Sequence, residues 1–172
     1  MKISIGCDHI VTEIKDHLVK YLEVKGLDVI DNGTYDKKRT HYPIYGVKTA
    51  QKVVSGKADL GIVICGTGVG ITISANKLKG IRAALVEDVE TARYAREKLN
   101  ANVLGIGGRI VGIGLMERII DAFLETKYQP SEENEKMIQR IDTIIAENNP
   151  AEDERFFDEL IEKWNRGEYA AE

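Results

Sequence analysis

The stretch LGIVICGTGVG, residues 60–70, gives the strongest single indication of the fold. Residues 60–64 are an unbroken apolar run, as is typical of a central strand covered on both faces of a parallel sheet. Cys65 and the glycine-rich loop of residues 66–70 follow at once. An apolar segment compatible with a helix, at about residues 71–78, comes next. The stretch therefore predicts a strand, a tight turn and a helix in succession.

Outward from this stretch, short β-rich runs alternate with segments of helical period, which is the pattern of a βαβ protein. The predicted strands are residues 2–6, 28–31, 60–64, 83–86 and 103–106. Asp88 is a plausible N-cap for one of the intervening helices. Because βαβ crossovers are right-handed, the pattern favours an α/β fold: a Rossmann-like, open, doubly wound parallel sheet of about five strands.

The last part of the chain differs in character. Apolar residues recur there at helical spacing in a polar background, with no strand of their own to cover: Met137, Ile138, Ile141, Ile144 and Ile145, then Phe156, Phe157, Leu160, Ile161 and Trp164. We expect residues 1–126 to form the α/β domain. Residues 127–172 are expected to form a C-terminal helical extension, packed on the domain or reaching onto a neighbouring subunit.

Composition narrows the class of protein. The 172 residues are 43% hydrophobic and 30% charged, which fits a globular domain, and a net charge of −4 argues against a nucleic-acid surface. We find no run long enough for a membrane span and no signal-peptide core, and expect a cytoplasmic protein with free thiols. Three scattered histidines and two cysteines lack metal-ligand spacing, so we expect no metal site. We also expect no cofactor.

Ligands of open parallel sheets bind beyond the carboxyl ends of the strands. Two polar groups are predicted there: Cys7, Asp8 and His9 after the first strand, and Cys65 with its loop after the central strand. They are expected to converge. A third group, residues 100–102, precedes the fifth strand and therefore lies at the wrong end of it, so it is the weakest candidate by this argument.

The loop after Cys65 suits an anion, because alternating glycines allow backbone N–H groups to point at a phosphate or an oxyanion. The dinucleotide fingerprint fails, since Ile71 stands where its last glycine belongs, and no Lys-Ser or Lys-Thr completes a phosphate-binding P-loop. A tight strand-to-helix turn without a ligand remains an alternative.

Cys65 adds chemistry to this loop. A cysteine at a helix N-terminus has its thiolate stabilised and can act as a base or a nucleophile. The alternative, a small buried apolar residue, applies more strongly to Cys7. His9 can donate to a phosphate or a sugar oxygen, and Asp8 can accept from a hydroxyl or cap a helix. Tyr42 lies in a predicted turn and can line a pocket.

These residues resemble the ribose-5-phosphate isomerase B and galactose-6-phosphate isomerase family. The matching stretches lie in about the first 125 residues: 5–9, 42–43, 64–70, 75–77, 80–84 and 100–108. Residues 39–43, 99–103 and 162–169 resemble B-type subunits of the galactose-6-phosphate isomerases in particular. The resemblance implies interconversion of D-galactose 6-phosphate and D-tagatose 6-phosphate, a step of lactose and galactose breakdown, through a cis-enediolate.

The resemblance also implies roles for individual residues. Cys65 would be the base, the loop backbone would hold the enediolate oxygen, and Thr67 would assist at the ring or a hydroxyl. Asp8 would be a catalytic residue that binds the sugar hydroxyls. The substrate-binding residues would be His9, Tyr42, Gly66, Gly68, Val69, Gly70, Asn100 and Arg109.

Two departures from the family pattern concern the rest of the site. Lys98 stands where ribose-5-phosphate isomerase B has a ring-opening histidine, and residues 129–134 lack the family's phosphate-binding arginines. The resemblance then implies an obligate hetero-oligomer in which an A-type subunit supplies these groups. The alternatives are a homomeric ribose-5-phosphate or allose-6-phosphate isomerase, with Lys98 and Arg109 as replacements, and a catalytically silent scaffold subunit. A nucleotide-binding module is the weakest interpretation.

Overall fold

The computed structural model describes residues 1–144, together with Glu162 and Arg166. The five strands are β1 (Lys2–Cys7), β2 (Asp28–Asp31), β3 (Leu60–Cys65), β4 (Ala83–Leu85) and β5 (Val103–Gly107). The helices are α1 (Thr12–Val24), α2 (Tyr42–Val54), α3 (Val69–Ala75), α4 (Val89–Glu97), α5 (Ile113–Glu125) and α6 (Glu132–Ile144). A short 3₁₀ turn, His9–Val11, joins β1 to α1.

All five strands pair in parallel, in the order β2-β1-β3-β5-β4. The predicted open, doubly wound, Rossmann-like sheet is therefore confirmed. The chain leaves β1 towards β2 on one side and returns to β3 on the other. This reversal creates a crevice at the carboxyl ends of β1 and β3, which is where ligands bind in such folds.

Helices cover both faces of the sheet. One core includes Ile5 and Ile64 from the strands and joins them to α1, α4 and α5, with Phe123 fully buried within it. On the other face, α2 and α3 pack around Val63 and Val103. Burial on both faces explains why β3 reads as a continuous apolar run rather than an alternating one.

Two helix boundaries differ from the sequence prediction. The helix α3 begins at Val69 and ends at Ala75, and the side chain of the next residue, Asn76, exchanges two hydrogen bonds of 2.8 Å with the backbone of Ala83. The predicted turn at Tyr42 is instead the first residue of α2. Pro43 then occupies the first turn of the helix, where its missing N–H costs nothing.

Beyond the sheet, α6 makes an ion pair with the domain, between Arg82 and Asp142 at 3.3 Å. The predicted stripe continues past Ile144 into residues that lie outside the described part of the chain, as do the apolar residues expected between 156 and 164. The arrangement of the 127–172 extension on a neighbouring subunit therefore stays a prediction. Within the described residues, no helix is long and apolar enough to cross a membrane.

Candidate active site

Cys65 is the last residue of β3 and ends at the crevice edge of the sheet. Its side chain belongs to the core beneath α2 and α3, and the residue is 5% exposed. The N–H of Gly68 donates a hydrogen bond of 3.1 Å to its Sγ. The sulfur is thus held at the edge of the ligand crevice with a donor directed at it.

The loop after Cys65 is shaped by backbone contacts that only glycine permits. Gly68 has φ +76°, and a β-carbon there would lie 2.7 Å from the carbonyl carbon of Ile106 and 2.8 Å from the nitrogen of Gly107. In the described part of the chain, the N–H groups of Gly66 and Thr67 have no hydrogen-bond acceptor. Two free amides next to a cysteine sulfur are suited to an anionic ligand oxygen.

Asp8 and His9 follow β1 at the same edge. The N–H of Asp8 donates to the carbonyl of Ile64 at 2.9 Å, which ties this turn to the strand that carries Cys65. Nδ1 of His9 lies 2.5 Å from Oδ1 of Asp8, and the carboxylate is buried. Asp8 occupies an N-cap position but makes no side-chain cap bond, because its oxygen is used by the imidazole. The pair leaves the Nε2 side of the ring for a ligand.

Tyr42 closes the site from the side of α2. A β-carbon on Gly70 would lie 2.6 Å from two carbons of the Tyr42 ring and 2.9 Å from its hydroxyl oxygen. The ring therefore packs directly on this glycine at the start of α3. Tyr42 is 41% exposed, so its phenol is available to solvent or a ligand while its position is set by Gly70.

Arg109 follows β5, which is the third strand, after β1 and β3, to contribute to the site. Its N–H donates to the carbonyl of Gly66 at 2.9 Å. Its side chain lines a cavity of about 350 Å³ that also includes His9, Glu13 and Lys37. Lys37 and Glu13 form an exposed ion pair of 2.5 Å at this cavity. Arg109, His9 and Lys37 give the cavity the donors that a phosphate requires.

The structure separates other predicted residues from this site. Asn100 precedes β5, and its carbonyl accepts from Nε of Arg82 at 3.1 Å. Val103 pairs with Gly61 and Gly107 with Cys65, so Asn100 lies at the opposite edge of the sheet from Cys65 in the same chain. Lys98 is close to Asn100, at the end of α4. A role for either at Cys65 requires a second subunit.

The contacts of Cys7 and His17 support the fold rather than the candidate site. Cys7 is fully buried beside Thr34, and burial raises the pKa of its thiol despite the hydrogen bond between the two side chains. Nε2 of His17 lies 2.7 Å from Oε1 of Glu117 and links α1 to α5. Among the described residues, no group of three or more histidine, cysteine or carboxylate side chains has the arrangement of a metal site.

Sequence reasoning missed the loop after β2. Gly33 accepts the N–H of Cys7 at 2.7 Å, and Thr34 donates its N–H to the carbonyl of Cys7 at 3.3 Å, so this loop extends the sheet beside Asp8. Thr34 also bonds the hydroxyl of Thr12 at 2.5 Å. The signal was available, because residues 31–34 follow a strand and so lie at the same carboxyl edge as the other groups.

The fold and the site together define a class: an open-sheet α/β protein with a cysteine and a glycine-rich loop at its topological switch point. Comparison with known proteins identifies the family within that class. Residues 3–143 match the Ribose/Galactose Isomerase family model, and the chain belongs to this family.

Individual relatives agree with that placement. The chain is 63% identical to the galactose-6-phosphate isomerase subunit LacB of Clostridium acetobutylicum, with the full length of both chains covered. It is 42% identical to ribose-5-phosphate isomerase B of Escherichia coli, over 84% of this chain and 95% of that one. The structure of ribose-5-phosphate isomerase B from Clostridium thermocellum superimposes with a TM-score of 0.82 at 42% identity, covering 84% of this chain and 97% of that chain.

Proposed function

We propose that this chain is one subunit of an aldose–ketose isomerase that interconverts D-galactose 6-phosphate and D-tagatose 6-phosphate. The observation that carries the proposal is the 63% identity, over the whole of both chains, to a protein named as a galactose-6-phosphate isomerase subunit. The arrangement around Cys65 supports the same chemistry.

The proposed reaction moves one proton between adjacent carbons. Cys65, as a thiolate, takes a proton from C2 of the open-chain aldose, and the electrons of that C–H bond pass to the C1 carbonyl oxygen. The resulting cis-enediolate is stabilised by the free N–H groups of Gly66 and Thr67. Return of the proton from the thiol to C1, with transfer of the O2 proton to O1, gives the ketose.

The remaining residues would bind the substrate. Asp8 and Tyr42 would bind sugar hydroxyls. His9 and Arg109 line the cavity beyond the loop and would bind the phosphate. The elements that carry these four residues, β1, α2 and β5, all meet at the crevice. The substrate would therefore span the switch point of the sheet.

The site is proposed to be completed by another chain. Lys98 stands where ribose-5-phosphate isomerase B has its histidine, and Asn100 lies at the far edge of the sheet from Cys65. A partner of the A-type would then supply the ring-opening group and the phosphate-binding arginines. We therefore propose an obligate hetero-oligomer whose active sites are shared between A-type and B-type subunits.

The test is an assay of D-tagatose 6-phosphate formation from D-galactose 6-phosphate. This chain is measured alone and mixed with an A-type subunit, each as wild type and as Cys65→Ala. The proposal expects activity only in the wild-type mixture. Full activity of the lone chain would contradict the shared active site. Undiminished activity of the Cys65→Ala mixture would contradict the role of Cys65 as the base.

A homomeric ribose-5-phosphate isomerase is the second candidate. The observation that favours it is the 42% identity to ribose-5-phosphate isomerase B of Escherichia coli. The same preparations are assayed with ribose 5-phosphate and allose 6-phosphate. Activity of the lone chain on either of these, without turnover of galactose 6-phosphate, would establish this candidate in place of the first.

A further inference from the structure

A fully buried lysine lies outside the proposed mechanism. Lys15, in α1, has no exposed surface, although it is a charged residue. Its Nζ pairs with the carboxylates of Asp31 and, at 2.7 Å, Asp16, and it lies 5.2 Å from the centre of the Tyr35 ring. Burial of a charge is costly, so a buried lysine is retained only where its partners compensate for lost hydration.

The side chain of Lys15 keeps its positive charge among these partners. Burial acts to lower its pKa, but the hydrogen bonds that it donates to Asp16 and Asp31 outweigh burial and raise the pKa above the ordinary lysine value. The lysine is therefore an ammonium at every pH at which the protein is expected to work. Its ion pair with Asp31, the last residue of β2, holds the Asp31 carboxylate in place.

Asp31 passes this constraint to the loop that follows. Its Oδ1 accepts the N–H of Gly33 at 2.8 Å, and its carbonyl accepts the hydroxyl of Tyr35 at 2.8 Å. Gly33 in turn accepts the N–H of Cys7 at 2.7 Å. A continuous series of contacts thus runs from the Lys15 ammonium to the backbone that immediately precedes Asp8.

The same loop is held from the other side by hydroxyl groups. Thr12 bonds the hydroxyl of Thr34 at 2.5 Å and donates to the carbonyl of Asp36 at 3.0 Å. The end of β1 is consequently flanked by β3 on one side and by this loop on the other. Movement of the loop would move Asp8 and His9 relative to Cys65.

We infer that Lys15 is a positioning residue of the candidate site: paired with Asp31, it fixes the loop after β2 and thereby sets Asp8 and His9 against Cys65. This inference rests on the proposed function for its kinetic consequence. Its structural consequence, the placement of the His9 ring, is measured independently of any substrate.

The test variant is Lys15→Met, which keeps an unbranched side chain and removes the buried charge. The matched control is Asp16→Asn, which removes the other carboxylate of Lys15 but leaves Asp31 and the loop untouched. The first readout is the imidazole ¹H–¹³C NMR spectrum. The sequence has three histidines, so His17→Gln and His41→Gln spectra assign the peak of His9.

In Lys15→Met we expect the His9 peak to move while the His17 peak stays in place, and Asp16→Asn is expected to move neither. In a mixture with an A-type subunit, Lys15→Met should lower kcat/KM by about tenfold or more, mainly through KM, because Asp8 and His9 are proposed to bind substrate. A general loss of stability would not produce this split between peaks or between kinetic constants.

Asp31→Asn is the second variant if Lys15→Met does not fold, since it preserves shape and the acceptor for Gly33. A His9 peak at the wild-type position in the folded variant, with kcat/KM within about twofold of wild type, would overturn the inference. If the wild-type mixture fails to convert galactose 6-phosphate, the proposed function fails, and the His9 peak still decides the role of Lys15.

Discussion

Gly68 lies three residues after Cys65 and donates its N–H to the sulfur of Cys65 at 3.1 Å. The bond depends on the left-handed backbone of Gly68, which turns the chain from β3 into α3 within the length of the loop. The strand, the cysteine sulfur and the glycine loop are thus one local unit. The other cysteine, Cys7, ends the neighbouring strand without such a donor loop.

The two cysteines are expected to differ in reactivity. Cys7 is fully buried, and burial raises the pKa of its thiol, which disfavours the reactive thiolate. Cys65 lies at the crevice with an N–H on its sulfur. We predict that iodoacetamide modifies Cys65 faster by about tenfold or more. Peptide mass spectrometry of the alkylated protein measures both rates.

Cys7→Ala is the control for this experiment and should leave the alkylation of Cys65 unchanged. A sugar phosphate that binds the site should slow the modification of Cys65 alone. Faster labelling of Cys7 than of Cys65 in the folded protein would contradict the assignment of the reactive thiol.

Gly68→Ala is predicted to destabilise the fold. The left-handed backbone alone costs about 1–2 kcal/mol with an alanine. The new β-carbon would also lie 2.7 Å from the backbone of Ile106, which cannot move as a flexible side chain does. We expect a total loss of about 3 kcal/mol in the free energy of unfolding, measured by urea denaturation.

Gly56→Ala is the matched control, because Gly56 has φ +68° and nothing lies within 4 Å of its added β-carbon. It isolates the cost of the backbone conformation, about 1–2 kcal/mol. Equal losses for the two variants would show that the close packing of Gly68 on β5 is not a constraint.

Gly70→Ala tests the contact between the glycine loop and Tyr42. The added methyl would overlap the Tyr42 ring, which is part of an exposed side chain and can rotate away. The fold should therefore survive, while KM for the sugar phosphate rises by about tenfold, which corresponds to about 1.4 kcal/mol. Steady-state kinetics of the mixture with an A-type subunit provide the measurement.

A double-mutant cycle separates this mechanism from a general effect on the loop. In a Tyr42→Ala background the ring is absent, so Gly70→Ala should raise KM little further. Additive effects of the two substitutions would mean that Gly70 acts on substrate binding without Tyr42.

Local sequence predicts the strands well, because their apolar runs are themselves the cause of burial on both faces. Residues 60–64 are predicted as a strand and lie in β3, in which every residue is buried. The rule that ligands bind at the carboxyl ends of parallel strands likewise brings Asp8 and Cys65 together from their positions in the chain alone. The predicted turn at Tyr42 is wrong, although a proline in the second position of a segment is compatible with a helix start.

What sequence does not provide are the relationships made by distant segments. Lys15 lies in an otherwise ordinary amphipathic helix, and its burial depends on Asp31 and Tyr35, which β2 brings from elsewhere in the chain. Topology correctly assigns Asn100 to the wrong end of its strand. Its place in the candidate site comes from family resemblance alone, and it depends on how subunits assemble.

Asp88 provides a final prediction, on the dependence of stability on pH. Its Oδ1 accepts the N–H of Thr91 at 2.8 Å, and its Oδ2 accepts the hydroxyl of the same residue at 2.6 Å, which confirms the predicted N-cap of α4. These bonds from Thr91 lower the pKa of Asp88 below its ordinary value of 3.8. The folded state therefore favours the ionised form more than the unfolded chain does.

The lowered pKa of Asp88 determines how the stability of the fold depends on pH. Above the ordinary pKa the ionised cap contributes its full stabilisation, and the contribution is lost as the pH falls through the lowered pKa of the folded state. The difference in melting temperature between wild type and Asp88→Ala should be largest near about pH 6 and shrink towards about pH 3. Asp88→Asn is the control, since it can cap without ionising and its stability relative to Asp88→Ala should change little with pH. A wild-type advantage over Asp88→Ala that grows on acidification would contradict the assignment of this cap.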